Sequence, residues 1–137
     1  MKPSMIARLD LLAAAREAGL LEQVRQHSAT LARGQAQDEV LAAYRARLSE
    51  SWRHGAPVAA AQARIAEHFA SGAEAVAEQI AQMRAEAQAR LAHAADELAV
   101  LRAHRRQLAN RLAEAARAAG TQAEQKAERT RIWRRRP

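Results

Sequence analysis

Five histidines, at 27, 54, 68, 93 and 104, are the first candidates for proton transfer or metal ligation in this chain. No two stand four apart, and none belongs to a Glu-x-x-His set of the kind that builds metal sites inside helical bundles. His93 and Glu97 fall one helical turn apart, a single pair in a stretch rich in Glu and Ala. The histidines therefore read as solvated or packed in a seam. The five glycines make neither a G-x-x-x-x-G-K-[ST] loop nor a G-x-G-x-x-G loop, so no phosphate cradle is encoded. The serines lack a nucleophile-elbow context. With no cysteine there is no thiolate nucleophile, cysteine-ligated metal or disulfide. The chain is expected to be no enzyme and to carry no cofactor.

Binding is the chemistry that remains, and it concentrates at "RTRIWRRRP", residues 129–137. From Val100 onward eleven Lys/Arg stand against three Glu, whereas residues 1–99 hold eleven basic and twelve acidic side chains. The net charge of +7 is thus a property of the C-terminal segment. Such a segment can neutralise phosphates while Trp133 stacks on a base, which makes nucleic acid one possible partner, although no recognised nucleic-acid fold accompanies it. A tryptophan among arginines also suits a membrane interface, but the apolar faces are mostly alanine and bury too little for strong insertion. No run approaches the roughly 18 apolar residues that span a bilayer. Arg8 and Asp10 interrupt the apolar opening stretch where a signal peptide needs continuity. A cytoplasmic location is expected, peripheral to a larger assembly.

The elements that must position this tail are helices. Aromatic residues make up only 3% of the chain, too few for a broad core, and the apolar content is chiefly alanine and leucine. In "WRHGAPVAAA", residues 52–61, Gly55 suits a helix end and Pro57 the first turn of the next helix. One helix over about 4–54, a turn at about 55–57 and a second helix over about 58–119 follow, with a basic extension at 120–137. In the first helix, positions 20, 24, 27, 31, 34, 38, 41, 45, 48 and 52 step alternately by four and three, the spacing of a coiled-coil seam. Upstream, Ile6, Leu9 and Leu12 continue an apolar stripe slightly out of phase. In the second helix the stripe runs Ile65, Phe69, Val76, Ile80, Met83, Ala87, Leu91, Ala94, Leu98, Leu101, Leu108, Leu112, Ala115 and Ala119, with some spacings longer than a strict heptad.

So short a turn makes the helices antiparallel, giving an all-α, long two-helix coiled-coil hairpin with unequal arms, roughly 75 Å and 120 Å if each is continuous. The last two or three dozen residues are then left without an intramolecular partner, unless Leu101 to Ala119 pair with Ile6 to Leu12 and only the last dozen or so stay free. Capping patterns at "GQAQDE" (34–39), "SGAE" (71–74) and "GTQAE" (120–124) offer places for breaks. Breaks at the first two would give a compact three- or four-helix bundle instead.

This layout resembles the FliJ and YscO type of small coiled-coil proteins in flagellar and injectisome type III export. It shares their length, their two unequal antiparallel helices, a Gly-containing turn after the first third and a charged C-terminal extension. Locally, "AAYRARL" at 42–48 is similar to a Tyr-Arg-x-x-Leu stretch before the turn of flagellar members, and Phe69 follows at a comparable distance. An acidic pair often present near the end of flagellar members is absent, with "ERTRIWRRRP" in its place. The resemblance implies a non-enzymatic central stalk. Its termini, here Arg129, Arg131, Trp133, Arg134, Arg135 and Arg136, would enter a hexameric export ATPase. Val40, Tyr44, Phe69, Ala73, Val76 and Ile80 would form the patch that meets the export gate protein and secretion chaperones.

Overall fold

In the computed structural model, which describes residues 2–53 and 60–135, the chain is an all-α hairpin. Helix α1 spans Pro3–Arg53 and helix α2 spans Ala60–Arg135, and no strand occurs among the described residues. The turn expected at 55–57 lies outside the described residues, as do the side chain of Trp52 and the whole of His54. Pro3 opens α1, where its missing N–H costs nothing, and the Lys2 carbonyl accepts from the amides of Met5 and Ile6 at 3.0 and 3.2 Å.

None of the three capping patterns breaks a helix. Asp38 is engaged by Arg84 of α2, and Thr121 donates to the Arg117 carbonyl at 3.0 Å, one turn back along a continuous helix. Thr130 does the same to Lys126 at 2.9 Å. The segment after Gly120 is therefore the direct continuation of α2 as far as Arg135.

The contacts divide into two compact units, Met1–Leu21 with Asp96–Pro137, and Glu22–Ala95. In the first, α1 buries Ile6, Ala13 and Leu20 against Leu98 and Leu108 of α2. Asp10 and Glu17 occupy the intervening seam positions, half-buried, so the spacing 6, 10, 13, 17, 20 is an unbroken heptad. This corrects the out-of-phase stripe: Leu9 is 37% and Leu12 67% exposed. Two carboxylates hold the seam that the leucines were expected to hold, because Arg105 of α2 neutralises both.

In the second unit the α1 seam runs through Val24, His27, Leu31, Gly34, Asp38, Leu41 and Leu48, all buried or half-buried, while Arg45 is exposed. Facing it on α2 are Ala66, Ala73, Ala77, Ile80, Arg84, Ala87, Leu91 and Ala94. Ile65, Phe69 and Val76 instead stand 57%, 56% and 45% exposed, and Ile65 and Val76 fall one position before Ala66 and Ala77, which take the seam. Counting Arg84 as a seam residue restores the heptad, and counting back from it by seven lands on Ala77. Alanine there permits the close approach that a bulky residue would forbid.

Close approach is tightest at Gly34, where an added Cβ would lie 2.6 Å from Cγ of Arg84 and 3.5 Å from Cε of Met83. At Gly19 and Gly72 an added Cβ would meet nothing within 4 Å. Gly19→Ala and Gly72→Ala should each raise stability by about 0.5–1 kcal/mol through helix propensity. Gly34→Ala should lower it, by about 1 kcal/mol or more, because the stem of Arg84 must move off Asp38. Denaturant unfolding of the three variants checks the opposite signs.

Candidate partner-binding surfaces

The first unit is pinned by one arginine. Arg105 donates through Nε to Asp10 Oδ1 at 3.0 Å and through Nη1 to Glu17 Oε2. Asp10 and Glu17 stand seven residues apart, two turns on one face of α1, and buried Ala13 lies between them, so the guanidinium reaches across a methyl group to both. Arg102 Nε adds a bond to Glu17 Oε1 at 3.0 Å, and Arg16 Nη2 donates to Glu97 Oε2 at 2.8 Å. Glu17 is the more enclosed partner, its side chain 16% exposed. The second unit repeats the device: Arg84 binds Asp38, donates through Nη2 to Gln35 Oε1 at 2.8 Å and lies over Gly34.

Cover over α2 by α1 ends at Ala115. Every residue from 116 to 135 is exposed, including Ile132 at 55% and Trp133 at 80%. Leu101, Leu108 and Ala115 do pair with the start of α1, so the free segment is this stretch and not the whole apolar stripe. Arg129, Arg131, Trp133, Arg134 and Arg135 all lie on it, whereas Arg136 lies outside the described residues. A shallow recess of about 370 Å³ is lined by Lys126, Arg129, Thr130, Trp133 and Arg134. Helical spacing puts Glu124 and Glu128 on the opposite side with Arg131 and Arg135, so the recess face is purely basic.

In the second unit an apolar groove of about 690 Å³ brings together Val40, Leu41 and Tyr44 of α1 with Val76, Ile80 and Met83 of α2. Four of the six residues expected in one patch, Val40, Tyr44, Val76 and Ile80, meet here. Phe69 lies seven residues from Val76 on the same side of α2, and both are exposed. Ala73 lies apart, lining a second recess with Arg45, Leu48 and Glu74. Ala73 and Ile80 are seam residues, 8% and 7% exposed, so Ile80 floors the groove, Ala73 floors the second recess, and Val40, Tyr44, Phe69 and Val76 are exposed.

Sequence reasoning missed the seam arginines, and also the exposed Met5 and Leu11 beside Leu9 and Leu12. Extending the heptad without skipping charged residues would have found Asp10, Glu17, Arg84 and Arg105. No group of three or more His, Asp or Glu able to hold a metal occurs among the described residues. No helix among them is long and apolar enough to cross a membrane. Comparison with protein-family models, with curated proteins and with solved structures finds no match.

The hydrogen bonds from Arg105 and then Arg102 hold the Glu17 carboxyl below its ordinary 4.5, and the hydrogen bonds to Asp10 and then Glu17 push the Arg105 guanidinium up, so it stays charged. A lowered folded-state value means that this contribution to stability is fully present above pH 4.5 and is lost as pH falls through the lowered value. Thermal stability of the native chain should therefore fall on acidification below pH 4.5 more steeply than that of Glu17→Gln, which lacks the titrating group. Equal slopes would remove Glu17 from the acid response.

Proposed function

We propose that this chain is a non-enzymatic stalk or adaptor for the hexameric ATPase of a flagellar or injectisome type III export system. The observation that carries the proposal is the bare, basic end of α2, which continues without a break from a helix clamped to α1. A lone helix with its side chains is about 10–12 Å across, which suits entry into the pore of a ring, and the clamped unit behind it gives the ring something rigid to work against. Arg129, Arg131, Trp133, Arg134 and Arg135 are the contacts proposed for the ATPase, with Arg136 continuing the run.

The groove of Val40, Tyr44, Val76 and Ile80, extended by Phe69, is proposed to meet the export gate protein and secretion chaperones. An exposed apolar surface rimmed by polar residues is the ordinary mark of a protein interface. The work of such a protein is done at the cytoplasmic side of a membrane-embedded apparatus, with no span of its own required.

Added to its partner hexamer, the chain should stimulate ATP hydrolysis, and a form lacking residues 129–137 should stimulate it less. Steady-state phosphate release measures both. Unchanged stimulation by the truncated chain would take the tail out of the mechanism. No stimulation by the full chain, with tight salt-dependent binding to duplex DNA, would favour a basic coiled-coil nucleic-acid-binding protein instead.

A further inference from the structure

The seam of this hairpin does not stop where α1 begins. Counting onward from Leu108 by four and three reaches 112, 115, 119, 122, 126, 129 and 133, so Lys126, Arg129 and Trp133 stand in phase with the packed face of α2. These three residues line the recess at the tip. Glu124 and Glu128 are segregated to the far side, which leaves the in-phase face with uncompensated positive charge.

The chain itself displays what a helix must carry to cover such a face. Opposite Arg105, α1 offers the small Ala13, with Asp10 three residues before it and Glu17 four after. Opposite Arg84 it offers Gly34, with Asp38 four after. In both layers a small residue of α1 stands in the seam beside the arginine, whose guanidinium ends on a carboxylate one turn along. We infer that the in-phase face of residues 116–135 is a docking site for an acidic helix of a partner protein, antiparallel to α2. Its pattern is [Asp/Glu]-x-x-[Ala/Gly]-x-x-x-[Asp/Glu], with the small residue opposite Lys126, three heptads beyond Arg105, and the first carboxylate beside Arg129.

The occupant follows from charge complementarity and from continuity with the seam already formed between α1 and α2. A second copy of the chain would bring an equally basic face and be repelled tail to tail. Trp133, one turn beyond Arg129, supplies the apolar anchor that fixes position along the partner helix. The inference rests on the stalk reading only in supplying the chemistry of the ATPase contact, and it can fail separately.

The test uses the full chain and three probes, with binding followed by calorimetry at physiological salt: a synthetic alanine-rich helical peptide carrying the acidic pattern, the same residues permuted so that the glutamates leave the facing side, and duplex DNA. The patterned peptide should bind at least about tenfold more tightly than the permuted one, a difference of about 1.4 kcal/mol. Arg129→Glu should abolish that preference, and a patterned peptide with lysine for glutamate should restore it. Equal binding of the two peptides would reduce the face to diffuse attraction and overturn the inference, as would DNA binding with no response to either peptide. If Arg129→Glu leaves ATPase stimulation intact while the peptide preference is lost, the acidic-helix site exists but is not the ATPase contact. If stimulation is lost while the peptides never differ, the stalk reading stands and this one falls.

Discussion

The bidentate grip of Arg105 on Asp10 and Glu17 sets the register on which the rest of the first unit depends. Seams of alanine and leucine are poor at choosing a register, because a slip of one heptad replaces one small apolar layer by another. The arginine layers do not permit it. Moving α1 by seven residues in either direction would bring Leu20 or Ile6 against Arg105 and leave one carboxylate where two now stand. In the second unit the same slip would set His27 or Leu41 against Arg84 in place of Gly34. A guanidinium pressed on a leucine without its full set of acceptors loses hydrogen bonds and gains a clash at once. Asp10, Glu17, Asp38, Arg84 and Arg105 therefore do what a buried asparagine does in a simpler coiled coil.

Once the register is fixed, the point where α1 runs out is fixed as well. α1 starts at Pro3, Ala115 is the last shielded residue of α2, and every residue from 116 to 135 is exposed. With no packing against α1, this stretch draws its helical order from its own residues and from the clamped helix that it continues. Residues 116–135 carry six Lys/Arg against two Glu, part of the basic surplus that begins at Val100. No carboxylate of α1 lies opposite to cancel it, and the two glutamates it carries point away from the in-phase face.

Much of this was legible in the sequence, and the failures share one cause. The all-α hairpin followed from the alanine-rich composition and from the four-three spacing between positions 20 and 48 of α1, which the packing reproduces except at the exposed Arg45. At the start of α1 and along α2 hydrophobicity was given precedence over period, although between positions 20 and 52 the period was followed through Asp38 and Arg45. Leu9 and Leu12 were favoured over Asp10 and Ala13, and Ile65 and Val76 over Ala66 and Ala77. Large apolar residues attract assignment to a core, yet in a narrow two-helix interface the small residues are the ones that fit. The patch implied by the family resemblance divides in the packing, since Ala73 and Ile80 belong to the seam and Val40, Tyr44, Phe69 and Val76 to the surface. The tail was read correctly as basic, but its phase with the seam was visible only after Arg105 had been counted as part of it.

The central claim is that charged seam layers fix a register that leaves the end of α2 uncovered. Residue-resolved amide hydrogen exchange on the intact chain tests it most directly, because protection reports the free energy of opening each helical segment. Strong protection is predicted for the amides around Leu20, Leu98 and Leu108, falling steeply beyond Ala115 to weak values through Arg135. In Arg105→Glu the protection of the first unit should collapse, with Asp10 and Glu17 left facing a third negative charge. Uniform protection through Arg135, or protection unchanged by the charge reversal, would contradict the account.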